Sequence, residues 1–368
     1  MSHVTVSRRD FMRVAGAALA SQAWPRTADS QRAAAQRRGE RIAFSYSPRI
    51  VIVSVGTAGA AVLGRLPVEC FPGVVRVSIN ADPWGMEASD ADVKILLDRR
   101  AMPAFWSTKG FQYRDNAVTE RIVGALAGAD FVLILGGLGG GTASAVAPLV
   151  ARHAREAGAL TASIVTAPFG FEGRARNRRA RAGLADLVTA CDTAAVIPND
   201  RMVDILGRET KLRHALERLE GTTAQAARTI VSLMTVPGRI CVDYADIRTV
   251  LQGRGVGAVG VGAARGPDRA ERAARQALAC PFLRGVGVDC AGSVLFQIAA
   301  GDPSLYDVWR ASSVVWSALA DDAILVYGDA VDPTLGDELR ITLVAAGLRN
   351  PPWPDVTANH PDAGDFPD

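Results

Sequence analysis

The sequence predicts an α/β protein of two domains joined by a long helix, and three observations carry that expectation. Short, nearly continuous apolar runs rich in β-branched residues occur at 50–55, 74–79, 131–135, 160–165 and 194–197, separated by Ala-rich helical stretches. Runs without polar alternation fit strands covered on both faces, and strands alternating with helices fit a parallel sheet. A helical pattern over roughly 211–234 ends at Pro237-Gly238, a length that suits a connector between domains, and a second, smaller alternation follows it. The 368 residues leave ample material for both cores.

From the N-terminus, residues 1–48 read as a basic leader and linker. Eight arginines fall within 1–41 against Asp10, Asp29 and Glu40, so the remaining body is nearly neutral although the chain carries a formal net charge of +3. Ser7-Arg8-Arg9-Asp10-Phe11-Met12-Arg13 precedes the mildly apolar run 14–20, and Ala18-Leu19-Ala20 has the small-x-small form of a cleavage site. The segment thus resembles a twin-arginine export signal. The same residues also suit a basic tail, or an amphipathic helix on anionic lipid with Phe11, Val14 and Leu19 inward and Arg9 and Arg13 outward.

Residues 49–210 form the first domain and 211–236 the connecting helix. Residues 237–349 form the second domain, with strands expected at 257–262, 293–298, 324–327 and 338–345 and helices at 268–279 and 304–319. The final 18 residues hold five Pro and four Asp with no Lys or Arg, so 350–368 is predicted to be a disordered acidic tail.

Composition excludes several classes. The five cysteines are odd in number and never spaced as CxxC, and the four histidines are dispersed, so no disulfide framework and no metal cluster is expected. No run approaches the 18 or so apolar residues of a membrane span. The basic excess sits on the leader and not on a folded face with interleaved aromatics, which argues against a nucleic-acid partner.

The strand at 131–135 runs into Gly136-Gly137-Leu138-Gly139-Gly140-Gly141-Thr142-Ala143-Ser144, and a helix follows directly. Consecutive glycines let backbone N–H groups approach an anion with no Cβ in the way, and the helix N-terminus adds partial positive charge. The pattern is neither GxxxxGK[ST] nor GxGxxG. Taken alone, it is either a phosphate cradle or a tight structural turn.

Further segments in order resemble the FtsZ/tubulin superfamily, its FtsZ branch in particular. The glycine loop resembles that family's GGGTGTG signature, with Ala143 and Ala145 in place of two glycines. The run from Ala167 to Arg176, APFGFEGRAR, resembles KPFxFEGxxR, and Ile197-Pro198-Asn199-Asp200-Arg201 resembles IPND[KR]. Val242-Asp243-Tyr244-Ala245-Asp246 is similar to the NxDFxD loop, and the run from Thr334 to Thr342 to the family's closing strand region. The match spans about residues 49 to 349. It implies a two-domain FtsZ/tubulin-like fold: a parallel Rossmann-like nucleotide-binding domain, a long central helix and a smaller α/β second domain.

Carried over by position, the resemblance implies phosphate contacts at Gly137, Gly139, Gly140, Gly141 and Thr142, and at Gly56 and Gly59 of the first glycine loop. It places Glu172 at the ribose hydroxyls, Arg176 and Asn199 at the nucleotide edge, and Asn80 and Asp82 in a loop resembling VNTD. A carboxylate can accept from both hydroxyls, and Arg offers a planar donor fork. Without the family, Glu172 and Arg176 are simply an exposed i, i+4 helix pair. Asp243 and Asp246 would help orient water, and any bound Mg2+, on a neighbouring subunit's GTP. Their spacing also fits the start of a helix, where an N-cap role is the alternative.

Departures from the family fall on the nucleotide site. The loop from Val55 to Ala61, VGTAGAA, is about one residue shorter than VGGGGxNAV and lacks its Asn. The γ-phosphate loop GLGAGxNPxxG is missing, and 107–114 occupies a shortened connection. Counting back from Pro237-Gly238 puts Leu216 where the family stacks Phe on the base, and Glu220 where it reads guanine with Asn. Cys241 replaces the Asn that opens the acidic loop. The expectation is a protein that binds GTP or GDP with little selectivity between them and assembles head to tail, hydrolysing slowly between subunits. The alternative is a pseudo-GTPase scaffold or a regulator of a true FtsZ filament. A cytosolic nucleotide implies a cytoplasmic protein, held at the inner membrane face through residues 7–24 if at all. Export by the twin-arginine route is the competing reading.

Overall fold

The computed structural model describes residues 48–66, 71–87, 89–98, 100, 115–236, 238–240 and 242–353. The leader, the shortened connection at 107–114 and Cys241 lie outside the described residues. Ten strands form one sheet in the order β3-β2-β1-β4-β5-β6-β7-β10-β8-β9. The first six are β1 (Ile50–Val55), β2 (Val75–Asn80), β3 (Val93–Leu96), β4 (Phe131–Gly137), β5 (Leu160–Ala167) and β6 (Thr193–Pro198). All pair in parallel, with β1, β5 and β6 buried along their whole length as strands covered on both faces are.

Helices cover this half: α1 (Gly56–Leu63), α2 (Pro83–Glu87), α3 (Asn116–Leu126), α4 (Gly141–Glu156), α5 (Arg174–Ala190) and α6 (Arg201–Leu206). Next comes α7 (Leu212–Thr235), whose 24 residues span about 36 Å at 1.5 Å per residue. Its C-terminal half is tied to the second domain through Gln297, which accepts from Thr229 Oγ1 at 3.0 Å and donates to Ser232 Oγ at 3.1 Å.

The second half comprises α8 (Tyr244–Leu251), β7 (Gly255–Ala264), α9 (Arg269–Leu278), β8 (Ser293–Ala300), α10 (Leu305–Ser317), β9 (Ile324–Val331) and β10 (Leu339–Leu348). Here β10 runs antiparallel to both β7 and β8, while β9 is parallel to β8. The Gly-rich β7 is explained by α9: Cβ atoms at Gly260 and Gly262 would lie 2.4 Å from Ala277 O and 2.1 Å from Ala273 O. A strand without side chains there lets the Ala-rich face of α9 rest on backbone. Only three residue pairs, Thr193 with Gly255 through Ala195 with Gly257, join β6 to β7.

The chain does not leave the fold where β10 ends. Trp353 is 5% exposed in the first domain's core, and the Arg181 guanidinium of α5 lies 5.0 Å from its ring centroid. Residues 354–368, most of the tail read from composition, lie outside the described residues. Among the described residues no helix is long and apolar enough to cross a membrane.

Candidate functional site

The parallel pairing brings the C-terminal ends of β2, β1, β4, β5 and β6 to one edge, and most of the residues singled out by sequence sit there. Two glycine turns meet at its centre. Gly56, at φ +75°, starts α1, and a Cβ on it would touch Thr142 at 3.5 Å. Gly137 lies so close to Ala58 that a Cβ would approach within 2.8 Å. Gly59 sits within α1, where a Cβ would meet Leu135 O at 2.4 Å, so packing of α1 on β4 is enough to demand glycine there.

In the second turn Gly139 is fully engaged. Its φ is +91°, a value that favours glycine, and its N–H donates to Ser144 Oγ at 2.9 Å. Its carbonyl accepts from Arg179 Nη1 at 2.8 Å, and a Cβ would strike Arg176 Cγ at 2.9 Å. Gly140 is the opposite case. It is the N-cap of α4 with ordinary extended dihedrals, no side chain caps the helix, and a Cβ on it would meet nothing within 4 Å. Protein packing therefore gives no reason for glycine at 140, whereas a ligand resting on the N-terminus of α4 does. The first turn of α4 holds no acidic residue.

Around this cradle, buried polar atoms lack partners. Asn80, 2% exposed at the end of β2, leaves Nδ2 unsatisfied, and Asn199, 7% exposed after β6, leaves Oδ1 unsatisfied. The Oδ1 of buried Asn177 is likewise without a partner, while its amide nitrogen donates to Phe169 O and Gly173 O at 3.2 Å each. Orphaned groups of this kind are costly, and a ligand carrying donors and acceptors relieves them. Other candidates are already occupied. Asp82 accepts from Gly85 N at 3.2 Å and so starts α2. Glu172 accepts from Phe169 N at 2.8 Å and pairs with Arg176 Nε at 3.0 Å, the i, i+4 arrangement, with the Arg176 side chain lying over Gly139.

Glu220, on α7, is paired with a cation of the first domain. Its Oε2 takes both Nε and Nη2 of Arg65, just past α1, at 3.0 and 2.8 Å. The position expected from the resemblance to read the base thus carries a carboxylate held by a cation.

Asp243 and Asp246 lie at the other edge of the sheet. They form a capping box at the start of α8: Asp243 Oδ1 accepts from Asp246 N at 2.9 Å and Asp246 Oδ2 from Asp243 N at 3.0 Å. Burial first, and repulsion from Asp243 after it, raise the Asp246 carboxyl above the ordinary range. Tyr244 fixes the helix by donating to Asp130 O at 2.7 Å, immediately before β4. Ahead of the box, buried Asp329 on β9 accepts from Ile240 N at 2.7 Å and Arg239 N at 3.3 Å.

Sequence reasoning missed Arg179, Ser144 and Asn177. Arg179 is one of five arginines in the run RARNRRAR, yet it is 3% exposed. Desolvation, followed by the nearby Arg176 charge, lowers its pKa. Among the described residues no group of three or more His, Cys, Asp or Glu is placed to hold a metal ion.

The profile of the Tubulin/FtsZ family, GTPase domain, matches residues 49–207, and that of the FtsZ family, C-terminal domain, matches 255–349. The chain belongs to the FtsZ/tubulin superfamily. An FtsZ dimer from M. jannaschii shares 30% identity at a TM-score of 0.77, covering 85% of this chain and 92% of its own. An FtsZ point mutant from the same organism shares 31% at 0.77, covering 89% and 96%. The GDP-bound CetZ1 monomer of Haloferax volcanii, at 19% identity and a TM-score of 0.64 over 82% and 95%, shares the fold. The superfamily's two-domain architecture is thus present in full: the glycine turns belong to the GTPase domain, and α7 leads from it to the C-terminal domain.

Proposed function

We propose that this FtsZ-family chain binds GTP or GDP on the glycine turns and assembles head to tail, with slow hydrolysis completed where two subunits meet. The observation that carries the reading is the placement of the two halves of the site. The glycine cradle follows the C-terminal end of β4, and Tyr244 anchors the acidic pair at the strand's N-terminal end. Seven strand residues separate them, about 23 Å at 3.3 Å per residue, so Asp243 and Asp246 serve a nucleotide held by another copy. A bound nucleotide would use Gly139 to Thr142 for its phosphates, with Asn80, Asn199 and the Glu172–Arg176 pair at its sugar and base. Any Mg2+ would arrive on the phosphates and not in a protein ligand set.

Apolar surface supports a heterologous contact. Phe171, Val203 and Ile205 are exposed beside the nucleotide edge. Ile240, Leu305, Tyr306 and Trp309 are exposed near the acidic loop, where Arg239 pairs with Asp302 at 3.0 Å.

The test is phosphate release per subunit against protein concentration. It should climb steeply, and Asp246→Ala chains mixed into wild type should inhibit more than dilution does. Concentration-independent release would refute the intersubunit site. A static scaffold remains the second reading, favoured by the capping box that already engages both aspartates. It predicts filaments with no phosphate release.

A further inference from the structure

We infer that Arg179 is a positioning residue that locks the Gly139–Gly140 peptide with its N–H turned into the cradle, so that the loop presents a donor and not a carbonyl to a phosphate. The inference rests on the nucleotide reading of the loop and adds a residue to it. A peptide unit is planar and trans, so its C=O and N–H point to opposite sides, and the described chain contains no cis peptide bond. Arg179 Nη1 takes the Gly139 carbonyl on the buried side at 2.8 Å. The Gly140 N–H of the same peptide therefore faces away from Arg179, toward the side on which a Gly140 Cβ would meet no atom within 4 Å.

Two adjacent glycines are the pair for which this orientation needs enforcing. With no Cβ on either side, the peptide between them can rotate by half a turn at little steric cost. Such a flip would aim the Gly139 oxygen at an incoming anion. Ser144 holds the preceding N–H, and Arg176 with Pro168 crowds the side where a Gly139 Cβ would lie, but the carbonyl itself is held by Arg179. The guanidinium is buried under the turn, so its hydrogen bond is protected from water and its charge sits behind the donors.

The test compares wild type, Arg179→Met and Arg179→Lys by calorimetry with two probes, inorganic pyrophosphate and GDP. Thermal unfolding is recorded alongside. Met keeps much of the side chain's length without a donor, and Lys keeps the charge and one donor. Arg179→Met should weaken both probes at least about tenfold, and Arg179→Lys should recover most of that loss. An amide resonance of Gly140 that shifts with pyrophosphate in wild type should no longer do so in Arg179→Met. Equal pyrophosphate affinity in folded Arg179→Met and wild type would overturn the inference, as would failure of wild type to bind pyrophosphate at all. Binding of pyrophosphate without GDP or GTP would overturn the proposed function, and the pyrophosphate arm would still decide the role of Arg179. Should Arg179→Met unfold, the lysine variant decides: an affinity unchanged within twofold, together with an unaltered Gly140 shift, supports locking by one donor, and loss of the shift with affinity intact refutes it.

Discussion

Replacing Gly140 with Leu should abolish nucleotide binding while leaving the fold almost untouched. Gly140 has φ −77° and ψ 160°, dihedrals open to any residue, and a Cβ there meets no neighbour. On the folding side the only loss is a modest N-cap preference of about 1 kcal/mol or less, a melting shift of about 2–4 °C at most for a domain of this size. On the binding side, the isobutyl group fills the space above the first turn of α4. A loss of about 100-fold, or roughly 2.7 kcal/mol, is the minimum expected for GDP and GTP alike. Gly139→Ala supplies the contrast. At φ +91°, with Arg176 atoms 2.9 and 3.1 Å from the new Cβ, it should cost about 1–2 kcal/mol in backbone strain and lower the melting temperature measurably. Calorimetric titration and thermal scans on both variants make the measurement, and wild type should bind GTP and GDP within about tenfold of each other. Gly140→Leu binding GDP within threefold of wild type would show that no ligand rests on this helix end.

Asp246→Asn should keep the capping bond from the Asp243 N–H and leave thermal stability equal or higher, while phosphate release falls. The sign follows from the raised carboxyl: ionised Asp246 costs the folded state stability at neutral pH, and protonation on acidification relieves that cost. Wild-type phosphate release should accordingly decline with acid at a pH above the ordinary Asp range, and a pH–rate profile checks it. Trp353→Ala should destabilise the protein by about 3–5 kcal/mol in denaturant titration, the usual cost of deleting a buried Trp. Its neighbour Arg181→Ala should cost about 1 kcal/mol or less through the lost ring contact. A Trp353→Ala loss under about 1 kcal/mol would mean the segment after β10 does not hold to α5.

Much of the architecture was legible because period and composition agree. Five parallel strands were read within a few residues, since strands buried on both faces write themselves as unbroken apolar runs. β3 was missed because its four residues alternate in exposure and look like loop, and α3 because Asn116–Leu126 mixes Thr, Glu, Arg and Gly with its apolar positions. The glycine turn was visible from spacing alone. What spacing does not reveal is which residue of a set turns inward. In RARNRRAR nothing distinguishes Arg179 from Arg178, yet one is buried under the loop and the other is exposed. The Arg65–Glu220 pair links positions 155 apart, a contact that only the completed fold brings about. The acidic pair was legible both as water-orienting groups and as a helix cap, and its geometry is that of the cap.

The seam between β6 and β7 has a mechanical meaning. In the proposed head-to-tail assembly, a subunit pulled at both ends would carry tension from one half of its sheet to the other, and only three residue pairs cross that line as strand pairing. Beside it, in addition to α7 and the Tyr244–Asp130 bond, run two side-chain rivets: Thr193 Oγ1 on Leu251 O at 2.5 Å and Ser293 Oγ on Val250 O at 2.6 Å. Both hold the last turn of α8, the helix that begins with the acidic pair. If the chain assembles head to tail as proposed, stress along the polymer would bear on the helix that carries Asp243 and Asp246, so that tension and the proposed junction chemistry would converge on one short helix.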